Sequence, residues 1–134
     1  MSSFSLQIVT PDGLAFDGQA ELLTVRTVDG DVTILPRHTD YVTALGMGRA
    51  KVTVDGSPRY AACIGGMLLV SGGKVKLVAT TFEWTDEIDV ARAMASAERA
   101  RAILNEKEKH TLDEIALAEA RLKRALVRTG AAGA

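Results

Sequence analysis

The residues of this chain whose type and spacing could do chemistry are its arginines. Arg92 and Arg99 lie seven positions apart, two helical turns, so on a helix they share a face; Arg124 and Arg128, four apart, share another. Two such helices folded side by side would bring the guanidinium groups together. Clustered guanidinium groups repel unless an anion such as a polyphosphate, or carboxylates, stand between them. Glu83 or Asp89 could then accept from an adenine amine or a ribose hydroxyl of the same ligand. The bland alternative is a pair of solvated faces, with Asp89 and Arg92 three apart forming a surface pair that contributes about 0.2–0.5 kcal/mol. A further basic run, Arg121, Lys123, Arg124 and Arg128, follows Glu119 with no later acid. Cations near a helix C-terminus suit its dipole, and they could equally form a basic rod that docks on an acidic partner.

No catalytic or metal constellation accompanies them. His38 and His110 are the only histidines. His38 stands near Asp40, but the chain has no Gly-x-Ser-x-Gly elbow to supply a nucleophile, so His38 reads as a loop or interface residue. No His or Cys cluster has metal-ligand spacing. Gly72-Gly73-Lys74 continues into Val75 and lacks the hydroxyl a phosphate loop needs for magnesium, so it reads as a hairpin turn. The segment Asp29 to His38 mixes apolar and polar residues and reads as one loop. It is either a buried bend fixed by Pro36 or a contact surface at one end of a sandwich.

Two textures position these residues. From Phe4 to about Phe82 the chain alternates in short β-branched runs: Leu6, Ile8 and Thr10 against Gln7 and Val9, and Val75, Leu77 and Ala79 against Lys74, Lys76 and Val78. Asp-Gly pairs at 12–13, 17–18, 29–30 and 55–56, with Gly72-Gly73, mark turns, and their spacing predicts a β-sandwich or flattened barrel of about ten short strands. After Trp84 the chain becomes rich in alanine. Thr85 or Asp86 is expected to cap a helix running to about Asn105, with a seam of Ala93, Ala97, Ala100 and Leu104. Thr111 to Glu114 reads as a capping box opening a second helix with Ile115, Ala118, Leu122 and Ala125 on one face. That helix is expected to end near Thr129-Gly130, ahead of a frayed tail, Ala131–Ala134. The fold class is therefore α+β: a sandwich at 1–84 followed by an antiparallel two-helix hairpin at 85–134. An alanine seam removes little apolar area from water, so the hairpin should open or detach at modest cost.

Composition narrows the functions. With 134 residues the chain holds one ordinary domain or two small ones. A net charge of −1 and 4% aromatics disfavour a nucleic-acid partner. Cys63 is the single cysteine, which excludes an internal disulfide and fits a reducing compartment. The start, Met1 to Phe4, lacks the features of a signal peptide, and no apolar run is long enough to span a bilayer, so any membrane role goes through a partner.

Across nearly its whole length the chain resembles the epsilon subunit of bacterial rotary ATP synthases. The resemblance is carried by Val9-Thr10-Pro11, Phe16-Asp17-Gly18, Asp29-Gly30-Asp31, Ile34-Leu35-Pro36 with His38, Gly65-Gly66-Met67-Leu68, and Ile88-Asp89 with Arg92-Ala93. Arg37 stands where the family usually has glycine before the histidine, and Thr33 where a glycine is common. The resemblance implies a non-catalytic central-stalk subunit that couples proton or sodium flow to ATP synthesis, peripheral on the cytoplasmic face of the bacterial cell membrane. Its implied partners are the gamma subunit and the ring of c subunits, with Asp29, Asp31, Leu35, Pro36 and His38 at the rotor interface. It also implies a movable hairpin that inhibits ATP hydrolysis when extended, docking Arg121, Lys123, Arg124 and Arg128 on the catalytic beta (and alpha) subunits. No cofactor is required. ATP is a candidate regulatory ligand, and residue-by-residue carry-over gives Glu83, Ile88, Asp89, Arg92, Ala93, Arg99, Arg124 and Arg128 as its site. The rival to this reading is a freestanding nucleotide-binding regulatory module.

Overall fold

The computed structural model describes residues 2–132. Met1 and the last two positions, Gly133 and Ala134, lie outside the described residues. Eight strands come first: β1 (Phe4–Thr10), β2 (Gly13–Ala20), β3 (Leu22–Thr27), β4 (Gly30–Ile34), β5 (Tyr41–Ala44), β6 (Met47–Val54), β7 (Ser57–Ser71) and β8 (Lys74–Trp84). A 3₁₀ turn (Thr85–Glu87) leads to α1 (Val90–Asn105), and a second (Lys107–Lys109) leads to α2 (Leu112–Ala132).

The expected ten short strands are eight because β7 and β8 are long enough to serve two layers. The first half of β7 pairs with β6, while its second half pairs with β5. Strand β8 pairs with β7 along almost its full length, and its first half also takes β1 as a parallel neighbour. Layer one is thus β2-β1-β8-β7-β5, and layer two is β8-β7-β6-β3-β4. The crossing point on β7 is Gly65-Gly66, with φ of 67° and 112°. A side chain at Gly66 would run into the Val78 carbonyl, so the sheet closes only because no Cβ is there.

Alternation within the strands fills the space between the layers. Leu6, Ile8, Leu23, Val25, Leu68 and Leu77 are fully buried there, and Trp84 meets Phe82 edge-on at 4.9 Å while its Nε1–H donates to the Ala15 carbonyl. Every residue of this core cluster lies between Phe4 and Trp84. Two hairpins share one device. In Thr10-Pro11-Asp12-Gly13 and in Thr27-Val28-Asp29-Gly30 the threonine hydroxyl donates to the glycine carbonyl and accepts from the aspartate N–H. Asp17-Gly18 is a correction. It lies inside β2, paired with Gln7 and Leu6, and not in a turn.

The helical half departs from expectation at its ends. The cap of α1 is Asp89, whose Oδ1 accepts from the Arg92 N–H at 3.0 Å, and not Thr85 or Asp86, which belong to the 3₁₀ turn. Thr111 caps α2 by accepting from the Glu114 N–H, but the Glu114 carboxylate turns to His110 Nδ1 at 2.7 Å and leaves the capping box half made. Helix α2 runs past Gly130 to Ala132, so the expected end at Thr129-Gly130 is wrong. The alanine seam forms: Ala93, Ala97, Ala100, Ala118 and Ala125 are buried, and Leu104 is half-buried.

Candidate functional site

Helix α2 lies over β6 and β7, on the outer face of layer two. Ala62 and Ile64 point outward from β7 and are nonetheless buried, although they stand apart from the core between the layers. Between helix and sheet lies a cleft of about 240 Å³ whose floor includes Ile64, Thr81 and Glu83 and whose wall carries Arg121, Arg124 and Arg128. These arginines recur at steps of three and four, a single helical stripe.

Arg128 and Glu83 bind the hairpin to the sandwich. Arg128 Nη2 donates to Glu83 Oε2 at 3.0 Å, and Nε stands 2.7 Å from Oε1. That short approach is ionic and not a well-formed hydrogen bond, because the buried Nε–H is aimed off the oxygen and finds no other acceptor. Arg121 and Arg124 have no carboxylate within 4 Å among the described residues. The cleft therefore sets three guanidinium groups against one carboxylate, an excess of positive charge that favours a multiply charged anion. Ser96 of α1 lines this cleft and also an adjoining groove of about 350 Å³, which adds Arg99 and shares Arg121.

The candidates for a nucleotide site are thus divided. Glu83, Arg124 and Arg128 line the cleft, and Arg99 lines the adjoining groove. Arg92 is exposed on α1 and lines neither, so the expected four-arginine cluster does not form. The expected surface pair of Asp89 and Arg92 is absent too, since Asp89 is occupied in capping. Ala93 is sealed in the seam and Ile88 is half-buried beside the 3₁₀ turn. Arg121, assigned from sequence only to docking, belongs to the cleft. Its spacing from Arg124 and Arg128 was the available signal. Lys123 is exposed.

The segment from Asp29 to His38 is not one loop. Asp29 sits in the hairpin turn, Asp31 lies on β4 and pairs with Arg26 Nε at 3.0 Å, and only Leu35 onward leaves the sheet. There the His38 N–H donates to the Leu35 carbonyl, Arg37 takes a φ of 65°, and Leu35 is half exposed beside Pro36. His38 and Asp40 do not pair. His38 Nδ1 approaches the Thr39 carbonyl, and Asp40 Oδ1 accepts from the Gly72 N–H. Cys63 is buried in the core, and desolvation pushes its thiol up to about 12. Among the described residues no helix is long and apolar enough to cross a membrane.

Comparison with known proteins identifies the class to which this sandwich with its helical hairpin belongs. Residues 3–85 match the family described as ATP synthase, delta/epsilon chain, beta-sandwich domain, and residues 86–133 match its long alpha-helix domain. The chain belongs to the ATP synthase delta/epsilon chain family. It is 41% identical over 133 residues to an ATP synthase epsilon chain of Ruminococcus albus, covering 98% of both. It is 36% identical over 128 residues to that of Caldicellulosiruptor saccharolyticus, covering 96% of this chain and 92% of the relative. Its fold matches a chain in the mitochondrial ATP synthase OSCP/F1/c-ring structure of Euglena gracilis, with a TM-score of 0.79 at 21% identity over 92% of this chain and 77% of that one. It also matches a chain of the Tetrahymena thermophila central stalk and c-ring, with a TM-score of 0.62 at 16% identity over 96% and 95%.

Proposed function

We propose that this chain is a non-catalytic rotor subunit of a proton- or sodium-translocating ATP synthase, peripheral on the cytoplasmic face of a bacterial cell membrane, whose hairpin restrains ATP hydrolysis. The sandwich binds the gamma subunit and the ring of c subunits, presenting Leu35, Pro36 and His38 at one end. The hairpin rests on the sandwich in one state and extends toward the catalytic subunits in the other, where Arg121, Lys123, Arg124 and Arg128 meet acidic surfaces.

The observation that carries this reading is the seam itself. Alanines hold the two helices to each other, α2 meets the body over Ala62 and Ile64 and through the Arg128–Glu83 pair, and the cleft at that junction has an uncompensated positive charge. A nucleotide seated there neutralises Arg121 and Arg124 and bridges helix to sheet. It favours the docked state only to the extent that it binds that state better. Calorimetric titration of the chain with ATP is expected to give saturable binding in the millimolar range or tighter, weakened at least about tenfold by Arg124→Ala. No heat at millimolar ATP would remove nucleotide from the mechanism and leave a purely mechanical switch.

A further inference from the structure

The joint between sandwich and hairpin is lightly held. The 3₁₀ turn at Thr85–Glu87 buries none of its residues and takes no side-chain cap at Trp84. Its closing bond, from the Ile88 N–H to the Thr85 carbonyl, is long at 3.4 Å. The backbone on either side of the turn is extended: Trp84 has φ −61° and ψ 144°, Ile88 −79° and 126°, and Asp89 −80° and 93°. Only the turn itself separates β8 from a further extended stretch.

Beside the turn runs an open strand edge. Residues 57–60 of β7 pair with β6 but not with β8, whose ladder stops at Ala61 opposite Trp84. The two-residue loop Asp55-Gly56 makes Val54 and Ser57 the hydrogen-bonded closing pair of the β6–β7 hairpin. Strand alternation then turns the N–H and C=O of Tyr60 and the carbonyl of Pro58 away from β6, toward the open edge. Continued in the same register, β8 would set Thr85 opposite Tyr60, Asp86 opposite Arg59 and Glu87 opposite Pro58. Asp86 would share a face with Arg59, an opposite-charge cross-strand pair. These two side chains are neighbours before any movement. Arg59 Nη2 stands 3.7 Å from Asp86 Oδ1, and Arg59 Cζ lies 3.9 Å from the centre of the Trp84 ring. Pro58 has a carbonyl but no N–H to offer, so the added ladder stops at Glu87.

We propose that the joint is a strand-extending hinge. When the hairpin leaves its seat, Thr85–Glu87 unrolls and adds to β8. The Thr85 carbonyl exchanges the Ile88 N–H for the Tyr60 N–H, and the Glu87 N–H reaches the Pro58 carbonyl. This rests on the reading above of the hairpin as a part that departs, and adds to it what becomes of the joint. Three residues at a rise of about 3.3 Å in place of about 2.0 Å lengthen the joint by about 4 Å. The released hairpin then starts from a paired strand that sets its direction, and not from a loose tether.

The test is solvent exchange of single amides, followed by NMR on the full chain at fixed pH. Two variants displace the hairpin. Ala62→Glu puts a charge beneath α2 at a position outside the core between the layers, and Arg128→Glu sets a second carboxylate against Glu83. Thermal unfolding reports whether each keeps its sandwich, and faster exchange in α2 reports release. In a released, folded variant the Tyr60 and Glu87 amides are expected to exchange at least about fivefold more slowly than in the unaltered chain. A joint that merely frays predicts the opposite sign at Glu87 and no change at Tyr60. Unchanged or faster exchange at both amides would therefore overturn the hinge, and so would an α2 that stays seated in both variants. The stalk reading is judged separately, by capture of the unaltered chain on the gamma subunit of its own synthase, which fails or succeeds whatever the joint does.

Discussion

Arg128 reaches Glu83 by two short approaches, yet its Nε–H is aimed away from the nearer oxygen. A pair so placed, with both side chains about a quarter exposed, contributes on the order of 1 kcal/mol to docking. Glu83→Gln is therefore expected to leave the sandwich intact and to speed amide exchange in α2 several-fold, read by hydrogen exchange at fixed pH. Cys63 supplies a separate, titratable contribution. Its thiol ordinarily ionises at 9.0 and is pushed up to about 12 by burial, so the folded chain holds the proton more tightly than the unfolded chain. That contribution is fully present below pH 9 and is lost as the pH rises through about 12. Urea unfolding midpoints are expected to fall across that window, less steeply in Cys63→Ala. At this scale the sequence disclosed Glu83, Arg124 and Arg128 correctly as neighbours. It placed Arg92 with them because helical spacing fixes which residues share a face but not where along its neighbour the helix sits.

At the scale of elements, the bend in β7 decides whether the two layers can form. Gly66→Ala would have to accommodate a Cβ against the Val78 carbonyl at a φ of 112°, and it is expected to destabilise the chain by more than about 3 kcal/mol in thermal or urea unfolding. Gly18→Ala is the internal control. Its added Cβ would stand 3.6 Å from the Phe16 ring, an ordinary contact, and the change is expected to stay within about 1 kcal/mol. Asp17-Gly18 also shows why one turn signal misled. An Asp-Gly pair permits a reversal, but here pairing with Gln7 and Leu6 keeps the chain extended. The start of α1 was ambiguous for a similar reason. Thr85, Asp86 and Asp89 can all cap, and the 3₁₀ turn at Thr85–Glu87 leaves only Asp89 with a free N-terminus to serve. The alternation in β8 left no such choice: Val75, Leu77 and Ala79 are buried, and Lys74, Lys76 and Val78 are exposed.

At the scale of the whole molecule, the sandwich owns its core. No hairpin residue belongs to the buried cluster between the layers, and the cover that α2 gives to layer two rests on Ala62 and Ile64. A fragment ending at Glu87 is expected to unfold cooperatively, with a midpoint within a few degrees of the full chain, and to bind more hydrophobic dye through the uncovered face. Reconstituted into its synthase, the same truncation is expected to raise ATP hydrolysis; unchanged hydrolysis would mean that the hairpin is no brake. The division into strands and helices was legible because alternation and alanine content change together near Trp84. The row of Ala44, Met67, Val78, Val9 and Leu14 across layer one was not, since these residues become neighbours only through long-range register.

Strands β7 and β8 pass unbroken from one layer into the other, and they stay paired to each other on both sides of the bend. A twist applied to one flank of the body would therefore travel to the opposite flank along covalent chain. To slip, the halves would have to shear an entire ladder of backbone hydrogen bonds at once, so the body behaves under load as a stiff cam and not as two plates held by grease.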